Sequence, residues 1–512
     1  MSGITGLETS LMIANSGIAN IGANFAVMSQ NVANAGTTGY AAETQTQQSM
    51  TADGTGMGVA NGAVTRYVNQ QLQSNLWAQN GEVSALQERQ TVLQPVNAAL
   101  GTPGQGGDIA SQLGALQNAF STLLGTPDSS TLQQSVVSDA QSFAAGINAL
   151  SQAYTSAGQT AQNNIVSSLK QLNASLTNIG TLNTEIISGL ARGQSVADLQ
   201  NQRDAAMQTV SQLIGAQAIP QANGSILVAT QNGLVLPTGP GAALTTANAT
   251  IAPGATYPGT IPGIMMNGVD VTNQITSGSI GADIQLRDTT IPTYQAELDE
   301  FAQNTASRFQ AQGLTLFTNG SGTVPTSTGG PVQSGYVGFA AEIKVNPAVV
   351  ADPTLVTNGT NAIAGSPTGA SAFTPNPPTG PSGFTTLINR VLNYTFGADV
   401  QAGVAQPASN VTGLGALGTL NAPFSSPATI TDFASTLIGA QSNDIATTST
   451  NLNDAQAMQS SLQSSFKSAS GVNINTEMAN MVQLQNAYGA NARIMATVQS
   501  MWSTLQSDLM YA

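Results

Sequence analysis

Glu297, Asp299 and Glu300 are the densest acidic group in this chain, and on a helix Glu297 and Glu300 share a face at i, i+3. Two carboxyls brought together in that way are the machinery of a glycosidase, one acting as acid and the other as base or nucleophile. Three acids on one helix are far more often a solvated surface, and that is the reading preferred here. The chain contains 0 cysteines and 0 histidines, which removes thiol nucleophiles, disulfides, Cys/His zinc sites and every Ser-His-Asp arrangement. No catalytic, cofactor-binding or metal-ligating residue is assigned, and no cofactor is expected.

The spacing that does recur is apolar. Ile4, Leu7, Leu11, Ala14, Ile18, Ile21, Phe25, Met28 and Val32 alternate steps of three and four. Met481, Leu484, Tyr488, Asn491, Met495, Val498, Trp502, Leu505 and Leu509 do the same at the other end, with Asn491 the one polar member. Such a stagger lays its residues along one narrow helical seam, the pattern that packs on another helix by knobs into holes. A polar residue at one seam position fixes register at some cost in stability. The ends of a domain normally fray, so regular seams there call for a partner. A two-helix stalk is marginal by itself, and neighbouring subunits would supply the missing burial; the alternative is that both helices belong to an intramolecular bundle.

Composition narrows the partners. The 512 residues can bury a large core and form several domains. Hydrophobic residues make up 41%, but charged ones only 7%, far below the globular norm, so the surface must be Ser, Thr, Asn and Gln. Net charge is -14 and the 11 Lys plus Arg are scattered from Arg66 to Arg493, which excludes nucleic acid as a partner. No uninterrupted apolar run has the length of a membrane span and residues 1–30 lack a basic n-region, so neither membrane insertion nor a cleaved signal peptide is expected.

The elements that carry the seams follow. The first helix stops in Ser29 to Tyr40, and a Gly-rich stretch from Asp53 to Gly62 precedes helical sequence to about Leu100. A further helix spans about Asp108 to Leu124. Asp128 or Ser129 then caps a rod of about 60 residues, roughly 90 Å long, ended by Arg192-Gly193. Ser195 is expected to cap a shorter helix. Asn223-Gly224, Asn232-Gly233 and Asn267-Gly268 are hairpin turns of a compact β domain over 217–285. Helix returns at Tyr294, residues 315–430 read as a Gly/Pro/Thr-rich β or irregular insertion, and helix resumes near Thr431 with a break at Ser470-Gly471. The fold class is α+β multidomain: residues 1–40 with 471–512 as a terminal coiled-coil assembly domain, 64–216 with 286–314 and 431–470 as a long-helix domain, 217–285 as an outer β domain, and 315–430 as the insertion.

Ser29-Gln30-Asn31-Val32-Ala33-Asn34, followed by Thr37-Thr38-Gly39-Tyr40, resembles the N-terminal signature of the bacterial flagellar axial proteins. Ser470 to Met481, with Gln485 to Tyr488, is similar to the tail segment of the same group. Leu199 to Asp204, Gly278 to Asp288 and Lys344-Val345-Asn346-Pro347 narrow the resemblance to the family of flagellar hook-associated protein 1. Thr38 stands where that family usually has Pro, and the acidic pair that often opens the tail helix is reduced to Glu477, with Asn475 available as N-cap. Taken alone, Arg203 with Asp204 and Arg287 with Asp288 read as solvated or locally paired charges.

The resemblance implies a non-enzymatic structural subunit joining hook to filament, exported unfolded through the flagellar type III apparatus to the cell exterior. It implies family-motif roles for Asn31, Asn34, Gly39 and Tyr40. Implied partners are copies of the chain in a ring-like or helical collar, the hook protein, the second hook-filament junction protein, and an export chaperone on the C-terminal helix. Flagellin or another axial protein is the nearest alternative, and a secreted adhesin a more distant one.

Overall fold

The computed structural model describes residues 2–511 apart from Pro103, Pro240 and Ala242, and it describes side chains apart from those of residues 2–4, 509 and 511. In chain order the main elements are helix α1 (Ser2–Asn34), strands β1 (Glu43–Ala52) and β2 (Thr55–Arg66), and helices α2 (Gln70–Leu100), α3 (Ile109–Gly125), α4 (Ser130–Ala191) and α5 (Ala197–Ile214). Six short strands follow: β3 (Gln217–Pro220), β4 (Ile226–Ala229), β5 (Val235–Leu236), β6 (Leu244–Thr245), β7 (Met265–Met266) and β8 (Val269–Asp270). Helices α6 (Gly278–Gln285) and α7 (Ile291–Ala311) come next. After a segment of short strands and helical turns, α8 (Ile430–Ser470) and α9 (Ile474–Tyr511) close the chain.

Packing divides these elements into two units, one of residues 1–84, 170–243 and 454–512, the other of residues 85–169 and 244–453. The expected β domain does not hold together across that division. Strands β3-β4-β5 form one three-stranded sheet and β6-β7-β8 another, and the two sheets fall in different units. With two to four residues per strand neither sheet buries much by itself, so each depends on the helices of its own unit. All three Asn-Gly pairs do sit at strand turns. At Asn267 and Gly268 φ is 52° and 81°, the left-handed pair that a type I′ turn requires.

In the first unit, β1 and β2 form a two-stranded antiparallel hairpin against α1, with bulges at Gln45/Gln47 and Met50/Thr51. Its turn is Asp53-Gly54, with φ of 48° and 79°. Strand β1 is rich in Gln and Thr and largely exposed, and β2 is rich in Gly and Ala and only half-buried, so neither shows the strong apolar alternation by which strands are read from sequence. Ser195 does not cap α5, which begins after Val196 without a side-chain cap. Its hydroxyl instead accepts from Val64 N of β2 at 2.6 Å.

The second unit holds one continuous core. Leu93 and Val96 of α2, Phe120 of α3, Phe143 and Tyr154 of α4, Phe301 and Phe309 of α7, and Phe433 and Leu437 of α8 are buried together. Aromatic rings meet edge to face, Phe301 on Phe433 at 5.5 Å and Phe309 on Phe317 at 5.5 Å between centroids. Residues 315–430 are part of this core and not an insertion beside it: Phe317, Tyr336, Phe339, Val349, Phe373, Leu387 and Phe396 are all buried in it. Their buried side chains come singly or in short groups such as Leu316-Phe317 and Leu387-Ile388, between stretches of Gly, Pro and Thr, so no long helical or strand period marks them.

Helix α4 is 62 residues long, as its apolar period implies, and Asp108 caps α3 by accepting from Ser111 N at 2.8 Å. The α9 start is capped by Asn473, which accepts from Asn475 N and Thr476 N, and not by Asn475. By length and mean hydropathy α1 is apolar enough to cross a membrane, a property it shares with core helices of soluble proteins. Its Asn20 and Asn31 side chains are nonetheless buried in hydrogen bonds to other parts of the first unit.

Candidate assembly interface and the node that anchors it

Helices α1 and α9 lie against each other in the first unit. On α1, Ala14, Ile21 and Met28 are buried, Leu7, Ile18, Phe25 and Val32 are half-buried, and Leu11 is exposed. On α9, Val498 is buried, and Met481, Leu484, Asn491, Met495, Trp502 and Leu505 are half-buried. Tyr488 is exposed, and Ala487 beside it is the half-buried residue of that turn. The side chains of Ile4 and Leu509 lie outside the described residues.

Asn491 stands opposite Gly17: a Cβ built on that glycine would come 3.1 Å from Asn491 Oδ1. The Asn491 amide donates back to Ala487 O at 3.0 Å, so the polar seam residue satisfies itself on its own helix and needs a small residue across from it. That pairing of shapes defines a register. Beside the seam, α9 exposes Ile474, Met478, Val482, Ile494 and Met501, and α1 exposes Met12 and Ile13. Val482 and Met501 are 54% and 55% accessible, well beyond what helix pairing alone leaves open on a buried stripe.

Where the pair meets the rest of its unit, polar side chains take over. Asn31, near the end of α1, is 1% exposed and makes four hydrogen bonds. It donates to Glu43 O at 2.8 Å and to Glu477 Oε1 of α9 at 3.0 Å, and accepts from Glu43 N at 2.9 Å and Tyr40 OH at 3.2 Å. One amide thus ties α1, β1 and α9 together with all its capacity used. Asn201 of α5 repeats the arrangement: it donates to Ala41 O and to Glu43 Oε1, and accepts from Ala41 N and from Arg66 Nη1 at 2.8 Å. Arg66 of β2 also pairs with Asp204 of α5 at 2.7 Å, and Asp204 accepts from Gln73 of α2 at 2.7 Å. Ser470, the last residue of α8, accepts from Ala42 N with its carbonyl and from Asn69 N with its hydroxyl.

Burial pushes the Glu43 carboxyl up, against the opposing hydrogen bond from Asn201, and burial with Glu43 nearby holds the Tyr40 phenol far above its ordinary value. Gly39 has φ of +80°, and a Cβ there would stand 3.1 Å from Gln208 Oε1, so both conformation and space favour glycine. Asn34 is less central; its amide donates to Gln30 O and its oxygen accepts from Thr37, closing the end of α1. Thr38, the departure from the family pattern, is exposed. Arg66, Glu43, Gln73 and Asn201 were not singled out as one site from sequence. The signal available was that a chain with 7% charged residues keeps an Arg and an Asp in these segments at all.

Charges read as solvated or locally paired are buried, and Arg287 with Asp288 is a local pair. Arg203 donates to Asn183 Oδ1 and Gly224 O, and Arg287 is clamped by Asp288 at 2.6 Å and by Gln162 at 2.6 Å. Glu297, Asp299 and Glu300 of the second unit are 1%, 1% and 2% exposed, which overturns the solvated-surface reading. Asp299 accepts from Gly338 N, Ala340 N and Gln295. Glu300 accepts from Tyr336 OH at 2.7 Å and Asn410 N at 2.8 Å, and Glu297 accepts from Gln441 at 2.8 Å. Asp299 and Glu300 both hold the 336–340 stretch against α7, Glu300 also holds Asn410, and Glu297 holds α8, so their proximity in sequence is structural pinning. Burial raises Glu297 and Asp299 to about 7. Among the described residues no group of three or more Asp or Glu is placed to hold a metal ion.

Residues 99–323 match the flagellar hook-associated protein FlgK helical domain, and residues 463–508 match the flagellar basal body rod FlgEFG protein C-terminal domain. Among solved structures, the flagellar hook junction protein FlgK from Burkholderia pseudomallei is similar at 26% identity and a TM-score of 0.40, over 50% of this chain and 46% of that one. The match therefore spans just under half the length of that relative. No curated protein sequence matches the chain.

Proposed function

We propose that this chain, whose residues 99–323 match the FlgK helical domain and whose residues 463–508 match a flagellar rod C-terminal domain, belongs to the FlgK family and is a structural subunit of the junction between hook and filament. It self-associates through α1 and α9. The observation that carries this reading is the apolar surface those helices keep uncovered, from Met12 and Ile13 on one to Val482 and Met501 on the other. A subunit with no neighbours would expose it to water, where apolar area of that kind marks an interaction site. Copies of the chain in a collar cover it in the assembly, with the hook protein on one side and the second junction protein on the other, and an export chaperone covers α9 before export to the cell exterior.

Tagged protein on isolated hook-basal bodies tests this. A short collar at the distal end of the hook is the expected result, and long filaments formed by this protein alone would instead identify a flagellin.

A further inference from the structure

The segment Gly278 to Asp288, which sequence singles out and the assembly reading leaves unused, contains an acid with no visible means of support. Asp283 of α6 is 0% exposed, and neither of its carboxyl oxygens accepts a hydrogen bond. Three groups face it from the elements packed around it: Glu88 of α2, Asn164 of α4, and Arg287 in the turn that follows α6. None is free to neutralise it. Arg287 spends its guanidinium on Asp288 and Gln162, and Asn164 donates to Glu88 Oε1 at 2.6 Å. Arg89, the next residue on α2, is engaged by Asp444, Thr448 and Thr290.

An ionised Asp283 would be a buried charge beside a second carboxylate, with no cation to itself and only the Asn164 amide, already committed to Glu88, to oppose the cost of burial, a state less favourable than keeping the proton. We infer that Asp283 stays protonated in the folded chain and gives its proton to Glu88 in a hydrogen bond, so that acid tightens this part of the fold and base releases it. The division of roles follows from the partners. Glu88 holds the Asn164 amide at 2.6 Å and is the better carboxylate, whereas Asp283 has it only as a weaker neighbour and is the better acid.

Burial and the neighbouring Glu88 push Asp283 up to about 9 from an ordinary 3.8. With the folded value raised, the native state holds a proton that the unfolded chain has lost, so the contribution of Asp283 to stability is fully present below about 4 and is lost as pH rises through 9. Glu297 and Asp299 act in the same direction but finish near pH 7, which leaves the interval from 7 to 9 to Asp283.

The test is amide hydrogen exchange over residues 278–290 of the full chain, corrected for intrinsic rates, at pH values from 7 to 9. Protection should fall by up to about tenfold per pH unit in the parent and stay level in Asp283→Asn, which keeps the shape and cannot ionise. Glu88→Gln should move the decline to lower pH by removing the neighbouring charge. Protection that is level in the parent, or that declines equally in Asp283→Asn, overturns the inference. Should Asp283→Asn not fold, a Glu88→Gln decline at the same pH as the parent's overturns it equally.

Discussion

Helices α1 and α9 and the helices around Phe301 are made from much the same residues, yet they finish differently. Around Phe301 the apolar stripes of α2, α3, α4, α7 and α8 close on one another, and residues from 315–430 fill what remains. In the terminal pair each helix covers one stripe of the other and leaves further Met, Ile and Val side chains in water. Burial by a single neighbour is marginal for helices of this length, whereas burial by several is decisive. The first arrangement is a finished core, and the second leaves apolar surface open, as the proposed interface requires. Polar chemistry follows the same division: buried acids pin the core of the second unit, while in the first unit they gather at the node that holds the terminal pair.

The comparison can be broken most severely at the seam. Ile18→Asp or Met495→Asp puts a charge on the pairing face and should abolish assembly while the second unit stays folded; a deletion strain carrying either variant is expected to shed filament protein into the medium and lose motility. Normal swimming would count against the seam. Phe301→Ala should do the reverse, lowering stability of the second unit by about 4 kcal/mol through the cavity it leaves, seen as a lower denaturant midpoint. Glu300→Ala strips Tyr336 and Asn410 of their acceptor and should cost about 2 to 3 kcal/mol by the same measurement; no change would mean that the acid is ornamental to the core.

Smaller effects sharpen the division. Glu297 is raised to about 7 by burial with one hydrogen-bond donor opposing, so it contributes stability at low pH that is lost between about 4.5 and 7. Glu297→Gln should flatten that part of the pH dependence in urea unfolding of the second unit. The smallest change belongs to the register. Gly17→Ala pushes a methyl against Asn491 and should cost under about 1 kcal/mol in the free chain, where the pair is loosely held. A cost larger than that of Glu300→Ala would show the free pair to be packed as tightly as the core.

Much of this was legible in sequence, for reasons that differ by element. The long period of α4 and the 3-4 stagger of α1 and α9 are repeated often enough to identify helices and faces, and the three Asn-Gly pairs locate turns. Hairpin β1–β2 escapes a sequence reading because an exposed Gln/Thr strand paired with a Gly/Ala-rich one has no strong apolar period, although Asp53-Gly54 marks its turn. Residues 315–430 read as an insertion because their core side chains come singly or in short groups separated by Gly, Pro and Thr. The charges misled most. In a chain whose surface is Ser, Thr, Asn and Gln, solubility does not need Glu or Arg, and several of those that remain, such as Arg203, Arg287, Glu297 and Glu300, have buried partners. Glu477 lies 446 residues from Asn31, and Gly338 and Ala340 lie 39 and 41 from Asp299, so no local pattern could announce those contacts.

The central claim is that neighbours complete the terminal pair. Because the chain has 0 cysteines, Val482→Cys provides a single thiol on the exposed stripe, and its rate of alkylation can be compared in the free protein and in isolated hook-filament structures. The thiol should react readily in the free chain and at least about tenfold more slowly when assembled, as expected for a side chain taken into a buried interface. Equal rates in the two states would contradict it.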